Sequence, residues 1–151
     1  MSDPITAVGA YISSVMQQPV DRFWLSRLES FDSAQFQFVM ASPKAMLHGG
    51  DLSFVVGPEG VRPGSRATFE RVVRVEGLRG AEDTSAIERV VSLFFLLAEV
   101  GMGAADEPIT AKWAGEQWQL SLTATHAQTL EKRSYQLRIG PDGTAEWEVL
   151  S

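Results

Sequence analysis

The stretch ERVVSLFFLLAEVGMG, Glu88 to Gly103, is the most apolar run in the chain, and its reading decides how the rest is assembled. Wound at about 100 degrees per residue, a helix here brings Glu88, Ser92 and Glu99 within about 40 degrees of one another, with Arg89 beside them. Phe95 and Leu96 fall within or next to that narrow polar stripe, while Val90, Val91, Leu93, Phe94, Leu97, Ala98 and Val100 fill the remaining circumference. A helix lying on the outside of a sheet shows a wider polar face than this. The pattern therefore predicts a helix over residues 84–100 that is either enclosed in its own domain or shared with a second chain, with Phe94, Phe95 and Leu96 as the residues offered to a partner. Ser85 and Glu88 have capping-box spacing at its start, and Gly101 can act as the C′ stop. The interval is too short to cross a bilayer, which takes roughly 20 apolar residues.

Downstream, four runs alternate with period two: Ile109, Ala111, Trp113; Trp118, Leu120, Leu122, Ala124; Tyr135, Leu137, Ile139; Ala145, Trp147, Val149. The junctions AGEQ and GPDG suit tight hairpins, and THAQTLEK a longer surface loop. Upstream, Asp3 as N-cap and Pro4 at N1 open a helix carrying Ile5, Val8, Ile12, Val15 and Met16, which Pro19 ends. Val20, Trp24, Leu28 and Phe31 then mark a second amphipathic helix, making a helical hairpin. Phe36, Phe38 and Met40, then Leu52, Phe54 and Val56, read as strands. The span Gly57 to Gly64 reads as a flexible loop. In RATFERVVRVEG, residues 66–77, Ala67, Phe69, Val73 and Val75 alternate with charged residues, which predicts a long strand with one wet face. The expected order is α-α-β-β-β-α-β-β-β-β, a single α+β domain over residues 1–151 with antiparallel sheet packed on an N-terminal helical hairpin and one central buried helix.

The 151 residues include 44% apolar side chains, enough for a core, and carry a formal charge of −6 with a pI near 4.9. That balance opposes a phosphate-binding surface, so a nucleic-acid partner is not expected. Cysteine is absent, which removes disulfides, thiolate catalysis and cysteine-held metal centres together. The opening MSDPITAVGAYISSVMQQP has no basic n-region, so a cytoplasmic chain that meets no membrane is expected.

The most enzyme-like fragment is HGGD, where His48 and Asp51 flank two glycines that would let a ligand approach the backbone. Over His48, Gly49 and Gly50 it resembles the turn that opens the central helix of hotdog-fold thioesterases, a resemblance that would imply an enzyme. The following DLSFVVGPEG departs from that family, because it alternates like a strand and breaks at Gly57 and Pro58. His48 and His126 lie on separate loops, so no three-ligand metal site is expected and no cofactor is implied. GMGAAD, Gly101 to Asp106, has its glycines leaving a helix, where the dipole repels phosphate. Arg62, Arg66, Arg71, Arg74 and Arg79 are interrupted by Glu59, Glu70 and Glu76, as on a solvated strand. Trp113, Trp118, Tyr135 and Trp147 fall on the apolar faces of their strands, as core residues do.

These readings favour a non-enzymatic, homodimeric protein-interaction module that acts like a small acidic chaperone or adaptor. In size, acidity and helix–sheet order the chain is similar to small secretion chaperones, without a shared motif or their closing helix. The alternative is a small-molecule-binding protein or small enzyme with a pocket near His48 and Asp51.

Overall fold

A computed structural model describes residues 3–45, 51–76, 84–99, 110–126, 130–140 and 144–150. The fold is α+β, and among the described residues eight strands form two four-stranded antiparallel sheets. Close Cα neighbours divide the chain into two compact units, Met1–Thr68 and Phe69–Ser151. No helix among the described residues is long and apolar enough to cross a membrane.

The first unit opens with α1, Pro4–Ser14, capped by the Asp3 carboxylate, which accepts from the Ile5 amide at 3.1 Å. The chain leaves α1 through Gln17 at φ 55°, and the Gln18 amide reaches back to the Ile12 carbonyl at 3.0 Å, so the helix closes before Pro19 takes effect. The expected second helix is not there. Val20–Arg22 and Glu29–Phe31 are single 3₁₀ turns, and between them Phe23–Arg27 is strand β1. The apolar spacing Val20, Trp24, Leu28, Phe31 fits a helix, but Phe23 and Leu25 fit a strand, and pairing with the next strand decides the matter. A salt bridge from Arg27 to Asp32, whose other oxygen accepts from the Phe38 amide at 3.3 Å, braces the connection.

Strands β2, Gln37–Pro43, β3, Leu52–Gly57, and β4, Gly60–Pro63, complete a meander in the order β1-β2-β3-β4. The register sets Leu25 opposite Ala41, Val39 opposite Phe54 and Val56 opposite Val61, so these share one face. Val8 and Ile12 of α1 pack on that face with Phe23, Val39, Ala41 and Phe54 to form the unit's buried cluster. The span expected as a flexible loop is the β3–β4 hairpin, turned by Pro58 and Glu59 with Gly60 at φ 107°.

RATFERVVRVE is α2, Arg66–Glu76, and not a strand. Its buried residues are Thr68, Phe69, Val72 and Val73, a helical face, while Ala67 and Val75 are exposed. The Ser65 hydroxyl accepts from the Thr68 amide at 3.1 Å and fixes the start; the Thr68 hydroxyl donates to the Pro63 carbonyl at 2.7 Å.

In the second unit α3 runs Thr84–Leu93 and continues as a π turn over Phe94–Ala98, in which the Glu99 amide bonds to the Phe94 carbonyl at 2.9 Å. The Gly101 stop and the Ser85 side chain of the expected capping box lie outside the described residues. Four strands follow as expected: β5, Thr110–Ala114; β6, Gln117–Thr125; β7, Lys132–Ile139; β8, Ala145–Val149, in the order β5-β6-β7-β8. Gly115 at φ 67° makes the β5–β6 turn. Pairing places Trp113, Trp118, Ile139 and Ala145 in one row and Ala111, Leu120, Leu137 and Trp147 in the next, on the same face. The opposite face carries Lys112, Gln119, Arg138 and Glu146, a polar surface of the kind an antiparallel sheet turns to water.

The core of this unit is built around Phe94. Its ring meets those of Phe69, Phe95, Tyr135 and Trp147 edge-on, at centroid distances of 5.6, 5.3, 5.2 and 5.2 Å. Such geometry places the positive edge of one ring on the negative face of another and contributes about 0.5–1.5 kcal/mol per pair beyond area burial.

Candidate functional site

The side chains singled out by sequence are distributed as follows. Phe94 is fully buried, Leu96 nearly so, and Phe95 half-buried against Phe94 and Tyr135, at 5.3 and 6.4 Å. The π turn accounts for this placement. Its i to i+5 bonding breaks the 100-degree wheel beyond Leu93, and Leu96, which that wheel sets beside the polar stripe, is buried together with Leu97. Asp51 is exposed just ahead of β3, and its companion His48 lies outside the described residues. His126 is half-buried at the end of β6, its amide bonded to the Glu131 carbonyl at 2.8 Å. Among the described residues no three His, Cys, Asp or Glu side chains converge as a metal site would require. Of the arginines expected on a strand, Arg62 stands on β4, where it pairs with Glu59 at 2.9 Å, and Arg66, Arg71 and Arg74 stand on α2, while Arg79 lies outside the described residues.

Tyr135 is a buried ionisable group among the described residues of the second unit. Its ring is fully enclosed, and its hydroxyl has no hydrogen-bond partner among the described residues. Burial pushes the phenol above its ordinary range; the Glu99 carboxylate adds to the rise, and the Arg133 guanidinium opposes it. Glu99 and Arg133 stand 3.7 Å apart.

The surface features with recognition chemistry are two tryptophans that sequence reading assigned to helix and core. Trp24 on β1 is 62% exposed, and the Lys44 ammonium sits 4.3 Å from its ring centroid. Trp113 on β5 is 41% exposed and meets Trp118 edge-on at 5.3 Å. Each stands on the first and outermost strand of its sheet, β1 or β5, which pairs on one side only among the described strands. Trp118, Ala86, Ile87, Val90, Leu120 and Ile139 line a shallow dimple of about 10 Å³ open to solvent, with the Trp118 indole N–H as the polar group among these side chains.

An exposed tryptophan on an edge strand combines two affinities. The strand presents unpaired amides and carbonyls on which an extended segment can build. The indole supplies a large rigid apolar contact of the kind that dominates binding energy at interfaces. Comparison of the chain with protein-family models, with curated proteins and with solved structures gave no match.

Proposed function

We propose that this chain is a non-catalytic polypeptide-binding module, a small acidic chaperone or adaptor that holds an extended segment of another protein by strand addition. The observation that carries the reading is the placing of Trp24 and Trp113, each well exposed on the outermost strand of its own sheet. Large aromatics left in water on a free strand edge cost solubility and invite pairing, and proteins blunt such edges unless the edge is used. The dimple beside Trp118 supports a polypeptide over a metabolite. Its lining is apolar apart from the Trp118 indole N–H, and its volume of about 10 Å³ admits no more than a water molecule, far short of the 300 to 1,000 Å³ usual for ligand pockets. The partner surface is thereby moved from the Phe94–Leu96 face of α3 to the sheet edges, because Phe94 and Leu96 are taken up in their own unit.

The test is retention of partner proteins by the tagged chain from cells that express it, compared with the Trp24→Ala/Trp113→Ala double variant. The wild type should retain a defined partner at least tenfold above the double variant, with circular dichroism unchanged between them. Equal retention by both, or none above the tag alone, would overturn the reading.

A further inference from the structure

The second sheet ends in two outer strands of opposite charge. On its polar face the rows run Lys112, Gln119, Arg138, Glu146 and Thr110, Ser121, Gln136, Glu148 from β5 to β8. The Lys112 cation therefore stands at the β5 edge. Glu146 and Glu148 stand at the β8 edge, two carboxylates against the one arginine, Arg138, which meets Glu148 at 3.4 Å. On the apolar face both edges are incompletely covered: Ala111 and Trp113 are exposed on β5, and Val149 is 51% exposed on β8. Each of these strands pairs on one side only among the described strands. Four antiparallel strands are an even number, so β5 and β8 run in opposite directions. A second copy set alongside in the same orientation thus brings its β5 antiparallel to β8, apolar face continuing apolar face and polar face continuing polar face.

We infer that copies of this chain associate head to tail, the β5 edge of one pairing with the β8 edge of the next to continue the sheet. In the register that sets Lys112 opposite Glu148 of the next copy, Trp113 faces Trp147 and Ala111 faces Val149. Opposite-charge and aromatic pairs across strands stabilise such a contact, and like charges set opposite one another destabilise it. Two β8 edges would bring Glu146 and Glu148 against glutamates, and two β5 edges would offer Lys112 no acid on the paired strand. Glu116 falls beyond the paired span, level with Thr144 of the next copy. Because the contact joins two different surfaces, every added copy leaves a β5 and a β8 edge to be filled, and growth does not stop at two. The inference does not rest on the polypeptide-binding reading. It gives the β5 edge an occupant with which a partner's segment would compete, and it leaves β1 with Trp24 open.

Sedimentation velocity of the whole chain, from micromolar to millimolar concentration, tests it. Five residue pairs make a small interface of the weak class, so the mean mass of the wild type should rise with concentration and pass beyond a dimer. Trp113→Asp puts a charge on the apolar face of the β5 edge, and Val149→Asp does the same at the β8 edge. Each variant alone should stay monomeric. An equimolar mixture of the two should form a dimer that does not grow, because one sound β8 edge meets one sound β5 edge and nothing is left to extend. Lys112→Glu should weaken assembly at least about fivefold, and Lys112→Glu/Glu148→Lys should recover most of it. Circular dichroism checks each variant; should Trp113→Asp fail to fold, Ala111→Asp takes its place. A wild type that stays monomeric throughout, or that stops at a dimer, would overturn the inference. So would a mixture of the two blocked variants that remains monomeric, or a charge reversal without effect. Retention of partner proteins is read separately, so failure of the assembly leaves the polypeptide-binding reading to its own test.

Discussion

Arg89 of α3 grips Glu76 of α2 through two hydrogen bonds of 3.1 Å, Nε to Oε1 and Nη2 to Oε2, with the side chains only 20% and 12% exposed. The fork matches the carboxylate atom for atom, which a single ammonium cannot do. This contact ties together two helices that sequence reading separated as strand and helix.

Arg89→Ala leaves the Glu76 carboxylate largely enclosed without the fork that satisfies it. Removing one partner of a buried pair costs about 3–5 kcal/mol, and the residual exposure here reduces the expectation to about 2–3 kcal/mol. Arg89→Lys should recover less than half of the loss. Urea unfolding of the two variants and of Arg89→Ala/Glu76→Ala gives the coupling directly, and a coupling below about 0.5 kcal/mol would show the pair to be solvated.

Phe94 and Phe95 are neighbours with different duties, and stability separates them. Phe94→Ala opens a cavity at the junction of four rings and should cost about 3–5 kcal/mol. Phe95 is half-buried, so Phe95→Ala should cost less than half as much. Equal losses would mean that Phe95 is enclosed as fully as Phe94, against the exposure the fold gives it.

How far the fold was legible depends on how local its signals are. The meander β5 to β8 was legible because each strand alternates cleanly and turn residues such as Gly115 are written between them. The segments Val20–Phe31 and Arg66–Glu76 were misread because their apolar residues satisfy two periods at once. Val20, Trp24, Leu28 and Phe31 make a helical face, yet Phe23 and Leu25 make a strand, and the choice rests on a register with β2 set by distant residues. In the second segment Ala67, Phe69, Val73 and Val75 alternate, yet Thr68, Phe69, Val72 and Val73 share a helical face. Ser65 was the local signal there, three residues ahead of Thr68, and its capping role was legible in principle. The candidate site was the least legible part. The exposure of Trp24 and Trp113 comes from which strand lies outermost, a property of topology that no letter near them records. The π turn over Phe94–Ala98 has no letter of its own either, and it took the expected partner face into the core.

The Ser65 cap is testable at modest magnitude. Ser65→Ala removes the acceptor for the Thr68 amide and the hydroxyl contact at 3.1 Å, and should cost about 1 kcal/mol. Ser65→Asp keeps an acceptor at a helix N-terminus and should restore stability. Thermal unfolding of both variants decides it, and a neutral Ser65→Ala would indicate that α2 is held by packing alone.

Tyr135 gives a stability effect with a definite sign in pH. Its hydroxyl is enclosed without a hydrogen-bond partner among the described residues, a condition that costs about 1–3 kcal/mol relative to a solvated hydroxyl. Tyr135→Phe deletes that oxygen while keeping the ring against Phe94, so the variant should be as stable as the wild type or more stable by about 1 kcal/mol. Burial raises the phenol's pKa in the folded chain above the ordinary value of about 10 that it takes when unfolded. The unfolded chain then releases this proton first, and the stability held below pH 10 declines as pH rises through the interval up to the folded value. Urea midpoints between pH 8 and 11 should therefore fall more steeply for the wild type than for Tyr135→Phe. Parallel slopes would mean that the phenol ionises as readily in the fold as in water, which its enclosure among Phe94, Phe95 and the β6–β7 pair does not allow.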